Sequence, residues 1–454
     1  MNIRELILEM LIEILEQDGY SHLVIRSVLD KYNYMESRDK AFMKRVTEGT
    51  LERLIQIDYV LNHFSKVPVT KMKPLIRNLL RLSVYQILFM DSVPDSAVCN
   101  EAVKLAGKRG FRSLSGYVNG VLRNIARNKT DLPYPDKEKE PMAYASVQYS
   151  MPEWIVQLWL EAYGKEQTKT MLENLLKEHP VSVRVRESLT EDERKEWLSK
   201  LSERGVQWEQ HPYLRNAYVL KDTEGVGGLP GYEEGLFTVQ DISSMLAVES
   251  TGIRNMSPEG MEEVKVLDVC AAPGGKSLYV ADLLGNKGRV VARDLTEYKV
   301  SLIRENIDRL KIENVKEQIW DALLMDEEWK EKADVVIADL PCSGLGIMGK
   351  KRDIRYRSKP EKLKELEELQ KQILSVVWQY VKPGGILIYS TCTIHPGENE
   401  KMVEWFTGQY PFITESLTPY LPKALHETAD KGYIQLMPGI HETDGFFFAR
   451  LRRV

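Results

Sequence analysis

At 454 residues the chain has room for two or three domains with sizeable cores. Its apolar content of 43% is ordinary for a globular protein and no apolar run is long enough to span a bilayer, so no membrane partner is expected. Four cysteines (Cys99, Cys270, Cys342, Cys392) stand far apart without a CxxC pair; neither a disulfide framework nor a metal site is expected, and a cytoplasmic location is.

The net charge of −5 hides an asymmetry. Residues 1–130 hold 20 Lys and Arg against 14 Asp and Glu, whereas the remainder holds 42 against 53. A basic module joined to an acidic one points to a negatively charged partner such as nucleic acid, or to unequal surface decoration; the count alone does not separate the two.

Residues 1–130 read as all-helical. Ile3, Leu6, Ile7, Met10, Leu11 and Ile14 follow the spacing of an amphipathic helix, with neither the basic start nor the cleavage site of a signal peptide. Pro74 stands where a helix begins, ahead of the apolar Leu75-to-Met90 segment, which predicts a central buried helix. Lys104, Lys108, Arg109, Arg112, Arg123, Arg127 and Lys129 are expected to form one cationic face suited to phosphate. The runs LLRLSVYQILFM, NEAVKLA and YVNGVLR, with the Val93-Pro94 step, resemble the small helical RNA-binding domain of the NusB antitermination factors.

Residues 131–144, with three prolines and mixed charge, read as a linker. Residues 145–237 read as a small α/β subdomain on the substrate side, with a strand at Val181-to-Val185 and a helix ending in Gly205. Residues 238–454 read as the catalytic domain. Strands are predicted at 264–269, 289–293, 315–319, 334–338, 385–390 and 445–452, with helices between most of them. That alternation predicts a doubly wound, Rossmann-like α/β fold with ligands at the carboxyl ends of its strands.

The chain is organised around VKVLDVCAAPGGKS, Val264 to Ser277: a strand, a tight loop and a helix N-terminus. Gly274 and Gly275 allow close backbone approach to a ligand. A P-loop would need Gly where Cys270 stands, and the dinucleotide spacing is absent. S-adenosylmethionine (SAM), which has no phosphate, fits the loop Cys270, Ala271, Ala272, Pro273, Gly274, Gly275, Lys276. After the second strand, Asp294 is placed for the ribose hydroxyls; after the third, Asp321 for the adenine amine; after the fourth comes Asp339.

Two cysteines set the chemistry. Cys342 lies in Asp339-Leu340-Pro341-Cys342 and Cys392 in Ser390-Thr391-Cys392-Thr393, each after a strand that ends at the pocket. A pyrimidine C5 becomes nucleophilic once a thiolate adds to C6, which is covalent catalysis. Asp339 is placed to pair with N3 and the amine of a cytosine. The absence of an Asn/Asp-Pro-Pro-aromatic turn argues against adenine N6 chemistry. Residue reasoning does not choose between the cysteines. Lys276 or the bound cofactor is the expected source of positive charge at Cys392. A basic run, Lys350, Lys351, Arg352, Arg355, Arg357 and Lys359, is expected to bind an RNA backbone.

VQD, LDVCAAPGGK, ADLPCSGLG, KPGG, YSTCT, ENE and DGFFFA resemble the RNA cytosine-C5 methyltransferases of the Fmu/Sun family. With the NusB-like front, the resemblance implies methylation of a cytosine in 16S ribosomal RNA by a monomer. It implies Cys392 as nucleophile, Cys342 as the group assisting release, and the Cys270–Lys276 loop, Asp294, Asp321 and Asp339 as the SAM site. One departure is Ser182 to Glu187, where the family usually carries Asn after the short strand. Two other readings are a non-catalytic RNA-binding factor, opposed by the intact cysteines and glycine loop, and a DNA cytosine methyltransferase, opposed by the NusB-like front and the STCT motif.

Overall fold

The computed structural model describes residues 2–454 except Glu178, Asp222, Glu224 and Asn286. The chain divides into two compact units. One runs to Lys177 and also takes in Met348–Arg357; the other holds the remainder.

The first unit is helical. Ile3–Glu16 buries Leu6, Ile7, Met10, Leu11 and Ile14, the stripe that the sequence spacing predicts, and the Asn2 side chain caps it through the Arg4 amide. Pro74–Phe89 has Pro at its first position and is buried almost throughout. The helices Ile3–Glu16, Ser37–Glu52, Leu54–Phe64, Asp95–Lys108 and Ser115–Arg127 all pack on it. Burial on all sides forces its polar groups to find partners: Arg81 pairs with Asp58, and Asn78 donates to Glu16. Gly49 lets Ser37–Glu52 approach closely, because a Cβ there would fall 2.0 Å from the Tyr85 ring.

The stretch 131–144 is not a free linker. Leu132 packs against the helical core, and Gln56 Nε2 donates to the Tyr134 hydroxyl at 2.6 Å. Helix Pro141–Tyr149 begins at the third proline of that stretch. By packing, the first unit therefore continues to Lys177, past residue 130. Prolines restrict the backbone without preventing the side chains between them from docking.

In the second unit, strands β1 (Val181–Val185), β2 (Gln207–Gln210), β3 (Ala217–Lys221) and β4 (Phe237–Val239) form an antiparallel sheet in the order β2-β3-β1-β4. Its core is Val183, Val185, Trp197, Tyr218 and Phe237. Arg184 on β1 is 1% exposed; its guanidinium donates to Asp282 at 2.6 Å and to Gln240 at 2.9 Å and lies over the Tyr279 ring. The departing segment Ser182 to Glu187 thus has a structural role, because it locks this sheet to the helix Gly275–Leu284.

The larger sheet holds β5 (Lys265–Asp268), β6 (Arg289–Asp294), β7 (Val315–Ile319), β8 (Ala333–Asp339), β9 (Val381–Thr391), β10 (Phe412–Thr414), β11 (Tyr433–Leu436) and β12 (Phe446–Arg453). The order is β10-β12-β9-β8-β5-β6-β7, with β11 on β12. From β7 to β9 the pairing is parallel; β12 joins β9 antiparallel. The six predicted strands are present, whereas β10 and β11 lie outside the expectation because they are short edge pieces.

Both faces of this sheet are covered, which is why its strands read as continuous apolar runs. Val266, Val290 and Val335 face a cluster with Leu278, Val280 and Ile303; Leu267, Val291 and Val336 face one with Ile373, Leu374 and Phe406. Strand order reverses at β5, and the loop after β5 sits at that switch point.

Candidate active site

β5 ends at Asp268, and the chain turns through Val269–Gly274 into the helix Gly275–Leu284. Gly274 has φ +102°, a conformation that disfavours a side chain. The loop is stitched to the next strand: Ala271 N donates to Arg293 O at 2.7 Å, and Ala272 N to Asp294 Oδ2 at 3.0 Å. Asp294 also accepts from Leu295 N at 2.8 Å and pairs with Lys299. Asp321, in the turn after β7, accepts from Leu323 N at 2.9 Å. The structure therefore brings Asp294, Asp321, Asp339 and the Cys270–Lys276 loop to one end of the parallel strands.

Asp339 is the last residue of β8 and the register partner of Ser390 on β9. Its Oδ1 accepts from the Ser390 hydroxyl at 2.7 Å, and its Oδ2 from Lys276 Nζ at 2.6 Å. Lys276 also lies over the Phe446 ring at 5.1 Å. The expectation that Lys276 supplies positive charge to Cys392 meets a competitor, since Asp339 holds the ammonium and offsets that charge.

From these paired positions the two strands run on to the cysteines. Cys342 Sγ and Cys392 Sγ are 3.2 Å apart, within thiol hydrogen-bond reach. The bond to Cys392, burial and the nearby Glu398 charge raise the Cys342 thiol well above its ordinary range. Cys270 is pushed up by burial and by Asp294, Asp268 and Asp339, so it stays a neutral thiol. Cys99 is buried in the helical core.

Asp268 is a site residue that the sequence reading missed. It is 1% exposed; Oδ2 accepts from Ser277 Oγ at 2.6 Å, and Oδ1 is buried without a partner. Burial raises its carboxyl to about 7, against the pull of Ser277 and Lys276. The signal was its place at the end of the strand in LDVC. Also missed were Leu295, Tyr298, Ile319 and Leu324, each more than half exposed beside Asp294 and Asp321. Such an apolar surface beside two carboxylates suits a flat heteroaromatic ring that carries hydroxyls and an amine.

The expected basic surfaces are largely taken up internally. Arg352 pairs with Glu48 and Glu52, and Arg357 with Asp353 and the Gly19 carbonyl. Arg355 is 0% exposed and donates to the carbonyls of Glu52, Ser150 and Met348. Of the six, the lysines Lys350, Lys351 and Lys359 are exposed. The three arginines are therefore used inside the first unit, and the run is not the continuous RNA-backbone strip that the sequence predicts. On the helical face, Lys104, Lys108, Arg109 and Lys129 are paired with Glu101, Glu5, Glu9 and Asp95. Arg112, Arg123 and Arg127 stay exposed.

Three family models match in chain order: the NusB family over residues 1–127, the ferredoxin-like domain of RsmF/B-like methyltransferases over 151–226, and 16S rRNA methyltransferase RsmB/F over 255–452. The "Probable ribosomal RNA small subunit methyltransferase B" of Bacillus subtilis (strain 168) is 35% identical over 458 residues, covering 100% of this chain and 99% of its own. The chain belongs to the RsmB/F family of 16S rRNA methyltransferases. The crystal structure of PH0851 matches this family member at TM-score 0.80 and 27% identity, covering 99% of this chain and 98% of its own. NSun6 from Pyrococcus horikoshii, solved with the SAM analogue SFG, shares the fold at TM-score 0.56 and 20% identity, over 67% of this chain and 98% of its own.

The cofactor of this methyltransferase is SAM, and the residues fit it. The carboxylates at the strand ends, the unpartnered Asp268 oxygen and the exposed apolar side chains match a ligand with two hydroxyls, an amine, an ammonium and an aromatic ring. Among the described residues no group of three or more His, Cys, Asp or Glu is placed to hold a metal ion, and no helix is long and apolar enough to cross a membrane.

Proposed function

We propose that the chain is a cytoplasmic, monomeric RNA (cytosine-C5)-methyltransferase that modifies one cytosine of 16S ribosomal RNA. The observation that carries the reading is the 3.2 Å approach of the Cys342 and Cys392 sulfurs beyond Asp339 and Ser390. A methyl transfer to an amine or hydroxyl needs no thiol, whereas a pyrimidine C5 needs one to attack and a base to eliminate. In this reading the helical first unit, which continues to Lys177, and the small sheet subdomain that follows it recruit rRNA. Residues 238–454 carry the chemistry.

The Cys270–Lys276 loop, Asp268, Asp294 and Asp321 would hold SAM, which supplies an activated methyl group. In this reading Asp339 bonds the cytosine N3 and amine; its contacts with Lys276 and Ser390, which orient its two oxygens, support that role. Cys392 attacks C6 as a thiolate. That choice is the one the YSTCT resemblance implies; across the 3.2 Å contact Cys342 would then donate its S–H to the Cys392 thiolate. Once Cys392 is bonded to C6 its charge no longer opposes ionisation of Cys342; Cys342 then gives its proton to solvent and, as a thiolate, takes the C5 proton after methylation. The C5–H electron pair forms the C5–C6 double bond, the C6–S bond breaks, and its electron pair leaves with the Cys392 sulfur. The target base must be unstacked to reach the thiolates.

The test uses denaturing electrophoresis of full-length protein with SAM and a 16S rRNA transcript. Cys342→Ala accumulates a protein–RNA adduct; Cys392→Ala forms neither adduct nor product. An adduct on Cys392→Ala but not on Cys342→Ala would reverse the roles and bring the enzyme close to a DNA cytosine methyltransferase in mechanism.

A further inference from the structure

The two cysteine loops are tied together by residues that flank the sulfurs. Ser343 Oγ, next to Cys342, lies 2.7 Å from Thr393 Oγ1, next to Cys392. Gly346 N donates to Cys392 O at 3.1 Å, and a Cβ on Gly346 would fall 1.9 Å from the Gly445 carbonyl oxygen. Beneath this junction lies Glu398, 0% exposed. Its Oε2 accepts from Ser343 N at 2.9 Å and from Gln370 Nε2 at 2.9 Å; its Oε1 accepts from the Ser343 hydroxyl. Gln370 Nε2 also donates to the Pro341 carbonyl at 2.9 Å, so the chain is held on both sides of Cys342. The Tyr389 hydroxyl, on β9, donates to the Glu398 carbonyl.

Among the described residues no Lys or Arg pairs with Glu398; the nearest titratable partner is His395, whose Nδ1 is 3.5 Å from Oε1. A buried carboxylate with no Lys or Arg partner is a poor device for stability. Here its oxygens are committed to the residue adjoining Cys342, which is a geometric role.

We propose that Glu398 is a positioning residue for the elimination step: by clamping Ser343 it holds the Cys342 sulfur where it can take the C5 proton. The inference rests on the two-cysteine reading above. Cys392 is carried by its own strand, β9, and the clamp reaches it only through the Ser343–Thr393 contact. Glu398 itself exchanges no proton with the substrate; loss of the clamp leaves the adduct methylated but slow to release.

The experiment compares full-length wild type, Cys342→Ala, Glu398→Gln, Glu398→Asp and Ser343→Ala with SAM and a 16S rRNA transcript. Adduct on a denaturing gel, single-turnover methyl transfer, KM for both substrates and thermal midpoint are all measured. Glu398→Gln is expected to raise the adduct about tenfold and lower turnover to match, with methyl transfer and both KM values within about threefold of wild type. Glu398→Asp should recover most of the turnover, and Ser343→Ala, which keeps the backbone bond, should accumulate less adduct. Equal loss of methyl transfer and turnover without adduct overturns the inference. If Glu398→Gln does not fold, Ser343→Ala decides, and absence of its adduct overturns the inference as well. If Cys342→Ala builds adduct and the Glu398 variants do not, this inference alone fails. If Cys342→Ala builds none, the cysteine assignment fails instead.

Discussion

The basic residues Arg112 and Arg127 on the helical face stand in water, whereas Arg352, Arg355 and Arg357 in Met348–Arg357 are turned into the first unit. The two stretches are similar in charge density and opposite in use. The difference lies in their partners. A guanidinium has five donors in a plane, so a cluster of free carbonyls at helix ends can hold it in place of a phosphate. Glu52 and Ser150, whose carbonyls accept from Arg355, lie at or next to the ends of Ser37–Glu52 and Pro141–Tyr149, where such carbonyls are free. Charge count cannot reveal such an arrangement, because the acceptors are backbone atoms.

The largest expected effect breaks this comparison directly. Arg355→Met removes the donors to three carbonyls, two of them buried, and should destabilise the protein by about 3 kcal/mol in urea unfolding. An unchanged midpoint would mean that the segment Met348–Arg357 is only draped on the helices.

A smaller effect sharpens the comparison by taking a buried charge without a full set of partners. Asp268 has a native carboxyl raised from 3.8 to about 7. A carboxyl raised in the native state favours folding below its unfolded value, and that contribution is lost as pH rises through about 7. Asp268→Asn should therefore gain stability over wild type between pH 4 and pH 8, on the order of 1–3 kcal/mol. A constant difference across that window in pH-dependent thermal melts would show that Asp268 does not titrate there.

The smallest stability effect is expected on the exposed face. Arg112→Ala with Arg127→Ala should change unfolding by less than about 0.5 kcal/mol. The pair should lower the salt slope of rRNA binding by roughly one for each phosphate that is no longer neutralised, read by filter binding in a salt series. Arg355→Met, measured at a temperature where it is folded, should leave that slope unchanged. The opposite pattern would return the basic run to an RNA-binding role.

The strand, glycine turn and helix start around Cys270–Lys276 were legible in the sequence because their signals are local. A strand must end before Cys270, glycine must follow, and a helix must start at once; each requirement fixes residue types within a few positions. The strand-end aspartates were legible for the same reason, since a parallel sheet puts each of them at the same edge. Asp268 was passed over although it too ends a strand, in LDVC; what singles it out is its burial beside Ser277, which is a tertiary property.

By itself, then, the order of residues determined the helical front, the doubly wound sheet and the set of side chains at its carboxyl edge. Period, punctuation and strand-end chemistry are properties of neighbouring residues, and these need no knowledge of distant ones. Which cations are free, which acid holds Lys276, and how Glu398 reaches across 55 residues to Ser343 were decided only by tertiary structure. Those relations are set by packing between segments far apart in the chain, and a charged side chain takes whichever acceptor the fold leaves unpaired next to it.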